Sequence, residues 1–306
     1  MKKCSSCNKK AIYFRVNEGR YYCEKCFSKN IEDRVKRTIR KFRMVRDGDR
    51  IVVGLSGGKD SSNTLYILKK IFGQNPKIKI IAVTIDEGIK GYRDKTIKGC
   101  VDFCKHLGVE HHIVSFDKEF NLTVDKIAKK NKDKGMCSYC GVFRRYLLNK
   151  KARELKANKI AVGHNLDDEA QSILMNVFKG DLLRLARFGP IPKVKDHKKF
   201  IPRIKPLLMI PEKESALYAI INSIPAYFDE CPYAVFNPLR METRDFLNKL
   251  EDSSPGIKYS ILRSGEKLSQ VLRKTIKHGE IGTCENCGEP SSERICKACK
   301  IIEEFI

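Results

Sequence analysis

Residues 51–61 read Ile51-Val52-Val53-Gly54-Leu55-Ser56-Gly57-Gly58-Lys59-Asp60-Ser61, an apolar strand pattern that runs directly into a glycine-rich loop. A helical pattern follows and extends to Ile71. Paired glycines let backbone N–H groups close on phosphate oxygens, and a helix N-terminus adds the positive end of its dipole. The loop lacks the spacing of a Walker A loop. Lys59 can neutralise phosphate charge, and Asp60 can orient the loop or help to hold Mg²⁺. We therefore predict a nucleotide site formed by Ser56, Gly57, Gly58, Lys59, Asp60 and Ser61.

Three further β-rich runs alternate with helical segments downstream, at residues 78–85, 111–116 and 160–163. Strands that alternate with helices imply a parallel sheet with helices on both faces. Pro, Gly and Lys cluster at residues 189–206, which predicts a loop or hairpin outside the core. Helices are predicted at residues 211–221, 238–250 and 256–275. The sequence thus predicts an α/β catalytic domain over residues 50–275 with a helical C-terminal part.

Eight of the thirteen cysteines form two CxxC…CxxC patterns, one at each end of the chain. These spacings are typical of closed tetrahedral zinc sites. They predict two zinc ribbons, at residues 1–28 and 280–306, each with one Zn²⁺. The predicted ligands are Cys4, Cys7, Cys23, Cys26, Cys284, Cys287, Cys296 and Cys299.

Five cysteines remain, and two of them, Cys100 and Cys104, share a helical face whose apolar stripe predicts packing residues. The other three are Cys137, Cys140 and Cys231. Three thiolates saturate neither a zinc ion nor an iron–sulfur cluster, so a shared metal centre would keep one coordination position open. A zinc knuckle completed by His164 is the alternative, and sequence chemistry alone leaves both open.

The chain carries 61 Lys and Arg against 37 Asp and Glu, a formal charge of +24. The excess is concentrated in a predicted basic helical linker at residues 29–49 and again between Lys193 and Lys205. Such a density of positive charge favours binding to a polyphosphate backbone, although a solvated lysine-rich surface is the alternative. No apolar run approaches the roughly 20 residues that span a bilayer. With reduced, metal-binding cysteines and no secretory pattern, we expect a cytoplasmic protein without membrane contact.

Two blocks of this sequence resemble the ATP pyrophosphatases, or PP-loop proteins. The first is residues 56–61, and the second is Gly163-His164-Asn165-Leu166-Asp167-Asp168-Glu169-Ala170-Gln171. A narrower similarity, to the tRNA 2-thiouridine synthetases (the TtuA and cytoplasmic tRNA 2-thiolation protein group), spans nearly the whole chain. It is carried by Cys137-Ser138-Tyr139-Cys140-Gly141, Arg144-Arg145 and Cys231-Pro232-Tyr233-Ala234, with a zinc ribbon at each end. The expected fold is a Rossmann-like PP-loop core flanked by two zinc modules.

The resemblance implies an ATP-dependent tRNA sulfurtransferase, which adenylates the C2 oxygen of a uridine and replaces that oxygen with sulfur. ATP and Mg²⁺ would bind at the loop, with Gly163 and Asp168 beside the nucleotide. The three unassigned cysteines would ligate a [4Fe-4S] cluster whose fourth iron is free to bind sulfide. Asp168 would act in nucleotide activation and Arg144 near the phosphates. The expected catalytic set is Cys137, Cys140, Cys231, Lys59, Asp60, Asp168 and Arg144.

Several alternatives stay open at this stage. Cys140 or Cys231 can instead carry a persulfide without a cluster. The related 2-thiocytidine synthetases usually carry a second central CxxC, which Cys231 lacks. A zinc-ribbon RNA-binding protein and an amidotransferase-type synthetase are the remaining classes. The wobble uridine is favoured over the T loop, the sulfur donor is either sulfide or a ubiquitin-like thiocarboxylate protein, and a homodimer is allowed. Asp167 and Glu169 are interpreted as ordinary helix-start acids.

Overall fold

The computed structural model describes residues 2–130, 135–190, 197–227, 229, 231–233, 238–276 and 281–306. The N-terminal module is a β-hairpin, β1 (Tyr13–Arg15) and β2 (Arg20–Tyr22), followed by helix α1 (Glu24–Lys41). The helix therefore begins within the second cysteine pair and ends before the predicted basic segment does. Its apolar stripe, which includes Phe27, Ile31 and Val35, is buried against the main domain.

The centre of the molecule is a five-stranded sheet in which every pairing is parallel, as the sequence predicts. The spatial order is β5-β4-β3-β6-β7. Four strands lie within a residue or two of the predicted runs, and the fifth falls inside the region predicted as a loop. The strands are β3 (Arg50–Gly54), β4 (Lys79–Asp86), β5 (Glu110–Ser115), β6 (Lys159–Ala161) and β7 (Arg203–Ile204).

Strand β3 shows how the two faces of this sheet are covered. Ile51 and Val53 point into one apolar cluster, whereas Val52 points into the other. All three side chains are fully buried, which matches the alternation of a strand covered on both faces. The sequence does not predict the edge strand β7, because two residues in a Pro- and Lys-rich run carry no periodic signal. The strand nevertheless belongs to the core, since Ile204 is fully buried. Residues 191–196 of that run, including Lys193, lie outside the described residues.

Helices connect the strands and extend the chain beyond the sheet. The predicted helices at residues 211–221, 238–250 and 256–275 are all present, with ends shifted by at most three residues. The helices are α2 (Lys59–Phe72), α3 (Arg93–Leu107), α4 (Phe116–Phe120), α5 (Val124–Lys130), α6 (Met136–Glu154), α7 (Leu166–Phe178), α8 (Leu182–Ala186), α9 (Glu212–Ile221), α10 (Pro238–Ser253) and α11 (Ile257–Thr275). Among the helices of the described residues, none combines the length and the apolar character needed to cross a bilayer.

The C-terminal module consists of β8 (Gly282–Thr283), β9 (Pro290–Ser291) and helix α12 (Lys297–Phe305). It docks on α6. Phe305 packs edge-on against Tyr139 at a centroid distance of 5.5 Å, and Arg153 forms an ion pair with Glu289. Cys284 and Cys296 belong to the same apolar cluster as Phe143 of α6. This module is therefore packed against the helix that carries Cys137 and Cys140.

Candidate nucleotide and metal site

The glycine-rich loop connects the carboxyl end of β3 to the N-terminus of α2, the geometry that a phosphate loop requires. Gly57 has a φ of 89°. A Cβ atom there would lie 3.2 Å from Thr96 Cβ and 3.3 Å from Cys100 Sγ, so the turn needs glycine. The Ser61 hydroxyl donates to the Gly58 carbonyl at 2.9 Å and accepts from the Ser56 N–H at 3.1 Å. These bonds hold the loop closed upon itself.

The second glycine-containing block, which follows β6, packs directly on this loop. A Cβ atom at Gly163 would lie 2.8 Å from both the carbonyl carbon of Asp60 and the nitrogen of Ser61. Only a residue without a side chain allows two backbones to approach so closely. The structure thus places Gly163 against the phosphate loop.

Lys59 lies among carboxylates rather than in open solvent. Its ammonium group is 3.0 Å from Asp60 Oδ2 and 3.0 Å from Glu212 Oε1. Burial alone would lower the pKa of Lys59, but the two carboxylates raise it above the usual value. The other oxygen of Asp60 accepts a hydrogen bond from the Ser215 hydroxyl at 2.5 Å. Lys59 therefore stays charged beside the phosphate loop.

Asp168 serves as a capping residue at the start of α7. Its N–H donates to Asn165 Oδ1 at 3.0 Å, and its own carboxylate accepts from the Asn165 N–H at 3.2 Å. Burial raises the pKa of Asp168, and the nearby negative charge of Asp60 adds to the effect. Raised carboxyl pKa values are typical of groups that exchange protons in active sites.

The neighbouring acids Asp167 and Glu169 do lie in the first turn of α7, but they do more than favour the helix dipole. Asp167 is 5% exposed, binds the ammonium group of Lys258 and accepts from the Glu212 N–H at 2.7 Å. Glu169 is 3% exposed and pairs with Lys205 at 2.7 Å. Both acids therefore belong to buried ion pairs, whose partners are distant in the sequence.

His164 is exposed, and its Nδ1 lies 3.2 Å from Glu169 Oε1. Within the part of the chain that the structure describes, it joins no cysteine group that could hold a metal. Cys100 and Cys104 are 2% and 1% exposed, which confirms the prediction that they are packing residues.

A cavity of about 710 Å³ opens above the phosphate loop. This volume is in the range of small-ligand and cofactor sites. Among the described residues its walls include the glycine-rich loop, Asp167 and Glu212 but not Asp168. Cationic and aromatic walls come from Lys213, Arg244, Tyr227 and Arg144.

Arg144 connects this cavity to the three cysteines that the zinc patterns leave over. Cys137, Cys140 and Arg144 lie on successive turns of α6, and Arg144 Nε is 3.8 Å from Glu87 Oε1. Burial alone would lower the pKa of Arg144, but Cys140, Glu87, Cys137 and Cys231 together raise it. Cys140 and Cys231 pack in the same apolar cluster, and Cys137 contacts Tyr233, two residues after Cys231. The three cysteines therefore lie in one region beside Arg144 at the cavity wall.

The three sulfur atoms are not among the described groups whose ligand atoms lie within 4.8 Å of one another. Ligands of one zinc ion would be that close, whereas ligands of a cubane sit on different irons and are further apart. Burial raises the pKa of Cys140 to about 12, so its free thiol is protonated and metal binding would displace the proton. Cys137 is exposed and its Sγ lies 3.6 Å from the Tyr233 carbonyl oxygen. Ala234, the last residue of the Cys231 motif, lies outside the described residues.

Each terminal module gathers its four cysteines into one group. Their sulfur atoms lie within 4.8 Å of one another, with measured pairs at 3.5 Å for Cys7 and Cys23 and 3.7 Å for Cys287 and Cys296. A tetrahedral zinc ion with Zn–S bonds of about 2.3 Å separates its ligands by roughly 3.8 Å. Burial alone would raise the pKa of Cys4, but hydrogen bonds from backbone N–H groups outweigh that effect and lower it to about 6. Both groups therefore fit a four-thiolate metal site.

Sequence reasoning missed Glu212, Ser215 and Tyr227, which all border the phosphate loop. The Tyr227 N–H donates to the Gly57 carbonyl at 2.9 Å. The one local signal for these residues was the acidic first turn after Pro211. Such a turn predicts the start of a helix, but it does not predict that the helix packs against the phosphate loop. Arg34, assigned to the basic surface, is instead largely buried and pairs with Glu214.

Comparison with known proteins agrees with this geometry. Residues 28–233 match a family model described as a PP-loop domain. The tRNA 2-thiolation protein NcsA of Haloferax volcanii is 40% identical over 318 residues, which cover 99% of each chain. The cytoplasmic tRNA 2-thiolation protein 1 of Caenorhabditis elegans is 36% identical over 98% of this chain and 79% of its own.

Among solved structures, the U34-tRNA thiolase NcsA from Methanococcus maripaludis, with its [4Fe-4S] cluster, superimposes with a TM-score of 0.86. It is 37% identical, and the match covers 100% of this chain and 97% of that one. The resemblance noted from the sequence and the predicted fold class are both confirmed. The chain belongs to the PP-loop family of tRNA 2-thiolation proteins.

Proposed function

We propose that this protein is an ATP-dependent tRNA sulfurtransferase that converts the wobble uridine to 2-thiouridine. One observation carries the proposal: Arg144 lines the nucleotide cavity and lies on the same helix as Cys137 and Cys140, with Cys137 in contact with the segment that holds Cys231. An activated base and an incoming sulfur can thus meet in one place. The wobble position is supported by the U34 specificity named for the Methanococcus maripaludis relative.

In the first half of the reaction, the C2 oxygen of uridine attacks the α-phosphate of ATP and pyrophosphate leaves. Phosphoryl chemistry of this kind needs positioned cations more than covalent catalysis. Lys59, Arg144 and the N–H groups of the closed loop supply positive charge. Asp60 would help to hold Mg²⁺ with the phosphates, and Asp168 would act in nucleotide activation.

In the second half, sulfur replaces the AMP oxygen at C2. Cys137, Cys140 and Cys231 fit a cubane better than one zinc ion, because their sulfurs are not drawn together as in the terminal modules. When bound, such a cluster supplies an iron without a protein ligand, where sulfur can be held. Arg144 would offset the negative charge of the cysteine thiolates on one side and of the departing AMP on the other.

The two four-cysteine groups would each hold one Zn²⁺ and stiffen the ends of the chain. With the exposed face of α1 they would contact tRNA by its backbone and shape. The exposed cations of α1 and its C-terminal flank include Lys36, Arg37, Arg40, Lys41 and Arg43. We extend the cytoplasmic location in the name of the Caenorhabditis elegans relative to this protein.

The test uses two tRNA transcripts that differ only at position 34, one with uridine and one with cytidine. Anaerobically purified protein, ATP, Mg²⁺ and sulfide are added, and pyrophosphate and 2-thiouridine are measured together. Equal amounts of both products, formed only with the uridine transcript, are expected. Thiolation at another position, or of the cytidine transcript, would overturn the assignment.

A further inference from the structure

The first turn of α9 contacts two distant parts of the molecule at once. On one side Glu212 pairs with Lys59 at 3.0 Å, and Ser215 donates to Asp60 at 2.5 Å. On the other side Glu214 reaches the N-terminal module. One helical turn therefore separates that module from the two charged residues of the phosphate loop.

Glu214 is buried and forms ion pairs with two arginines. Its carboxylate accepts from Arg15 Nε at 2.6 Å and Nη2 at 2.9 Å, and from Arg34 Nη1 at 2.6 Å. Glu214 is 1% exposed and Arg15 2%. A two-pronged arginine–carboxylate pair fixes orientation as well as distance, and losing one partner leaves an uncompensated buried charge.

Arg15 is itself fixed within the N-terminal module. It is the last residue of β1, and its Nη1 donates to Glu18 at 3.0 Å and to Asn30 at 2.8 Å. Its guanidinium lies 4.9 Å from the ring centroid of Tyr22, the residue before the metal-group cysteine Cys23. The position of Glu214 thus depends on the fold of the four-cysteine module.

We propose that the Arg15–Glu214 pair positions the phosphate loop for ATP. Through it the N-terminal module holds the first turn of α9, and that turn holds Lys59 and Asp60. Arg15 and Glu214 touch no substrate, so they are positioning residues that act through Glu212 and Ser215. The inference rests on the proposed function, because it concerns the site where that function requires ATP.

Two other contacts provide matched controls for a purely structural role. Tyr218, one turn further along α9, donates to Glu32 of α1 at 3.0 Å and does not border the cavity among the described residues. Glu289 pairs with Arg153 and joins the other terminal module to α6, away from the phosphate loop. Tyr218→Phe and Glu289→Gln therefore disturb a module contact without reaching Lys59 or Asp60.

The experiment measures the Kd of a non-hydrolysable ATP analogue and the KM for ATP in pyrophosphate release. For Glu214→Gln and Arg15→Lys we expect both to rise about 5- to 150-fold, the usual range of coupling between a remote group and a binding site. Zinc and iron content and tRNA affinity should match wild type. The two control variants should change the analogue Kd less than about twofold.

A double-mutant cycle identifies the route. If Glu214 acts through Glu212 and Ser215, then adding Glu214→Gln to a variant that carries Glu212→Gln and Ser215→Ala should raise the analogue Kd no further. Full additivity would overturn the proposal, as would a wild-type analogue Kd in Glu214→Gln or an equal shift in Glu289→Gln. Arg15→Lys keeps the positive charge and most of the side-chain volume. If Glu214→Gln fails to fold, the analogue Kd of Arg15→Lys tests the proposal instead. Absence of pyrophosphate release by wild type would refute the proposed function instead, because analogue binding tests the positioning independently.

Discussion

The substitution Gly163→Ala tests whether the close approach of two backbones builds the nucleotide site. The added methyl group would lie 2.8 Å from two backbone atoms of the phosphate loop and 3.0 Å from a third, the Asp60 carbonyl oxygen. Backbone atoms cannot rotate away as a side chain does, so the loop or the β6–α7 connection must move. Overpacking of this kind costs about 1–3 kcal/mol. If the loop takes up that strain, affinity for ATP falls about 5- to 150-fold.

The assay is equilibrium binding of a non-hydrolysable ATP analogue, with iron and zinc content measured on the same sample. Gly282→Ala in β8 is the control, because the nearest atom to its added methyl group is 3.9 Å away. The control should bind the analogue as wild type does. Wild-type affinity in Gly163→Ala, with an unchanged melting temperature, would refute the claim that this contact shapes the loop.

Three further predictions address the other parts of the proposal. Cys231→Ala should abolish iron binding and 2-thiouridine formation while both zinc ions stay, and retained iron would contradict the three-cysteine assignment. Lys59→Ala should stop tRNA-dependent pyrophosphate release yet leave the iron spectrum unchanged, because Lys59 serves the phosphates and not the cysteines. Neutralising four exposed cations of α1 and its C-terminal flank should lower the slope of log K against log salt for tRNA by up to about one per contact, without changing ATP-analogue affinity. An unchanged slope would mean that these cations form only a solvated surface. The four residues are Arg37, Arg40, Lys41 and Arg43.

The sequence predicts elements well where the signal is local. The phosphate loop follows an apolar run, so a strand, a turn and a helix N-terminus can be located from 11 adjacent residues. The cysteine pairs of both terminal modules are likewise adjacent, and the structure gathers each set of four. By contrast, β7 has only two residues, and its place at the sheet edge is set by pairing with β6 rather than by its own pattern.

Charged residues show where sequence reasoning ends. Arg34 lies in a run of cations and was assigned to the surface, but Glu214, 180 positions away, draws it into the interior. Asp167 and Glu169 were assigned to the helix dipole, but Lys258 and Lys205 neutralise them in the core. A carboxylate has the same local appearance whether solvent or a distant lysine faces it. Its burial can therefore be known only after the tertiary contacts are known.

Residues 212–231 link the two halves of the proposed reaction. Glu212 and Ser215 contact the phosphate loop, and Tyr227 joins it again through its N–H and a parallel bridge to Gly58. Cys231 follows four residues later. Because a chain spans at most about 3.6 Å per residue, its Cα lies within about 14 Å of that of Tyr227. Cys231 therefore lies close along the chain to a residue that contacts the phosphate loop. The other two lie on α6, the helix on which the C-terminal module docks. The three cysteines of the proposed cluster site thus come from α6, whose Arg144 lines the nucleotide cavity, and from a segment that begins at the phosphate loop.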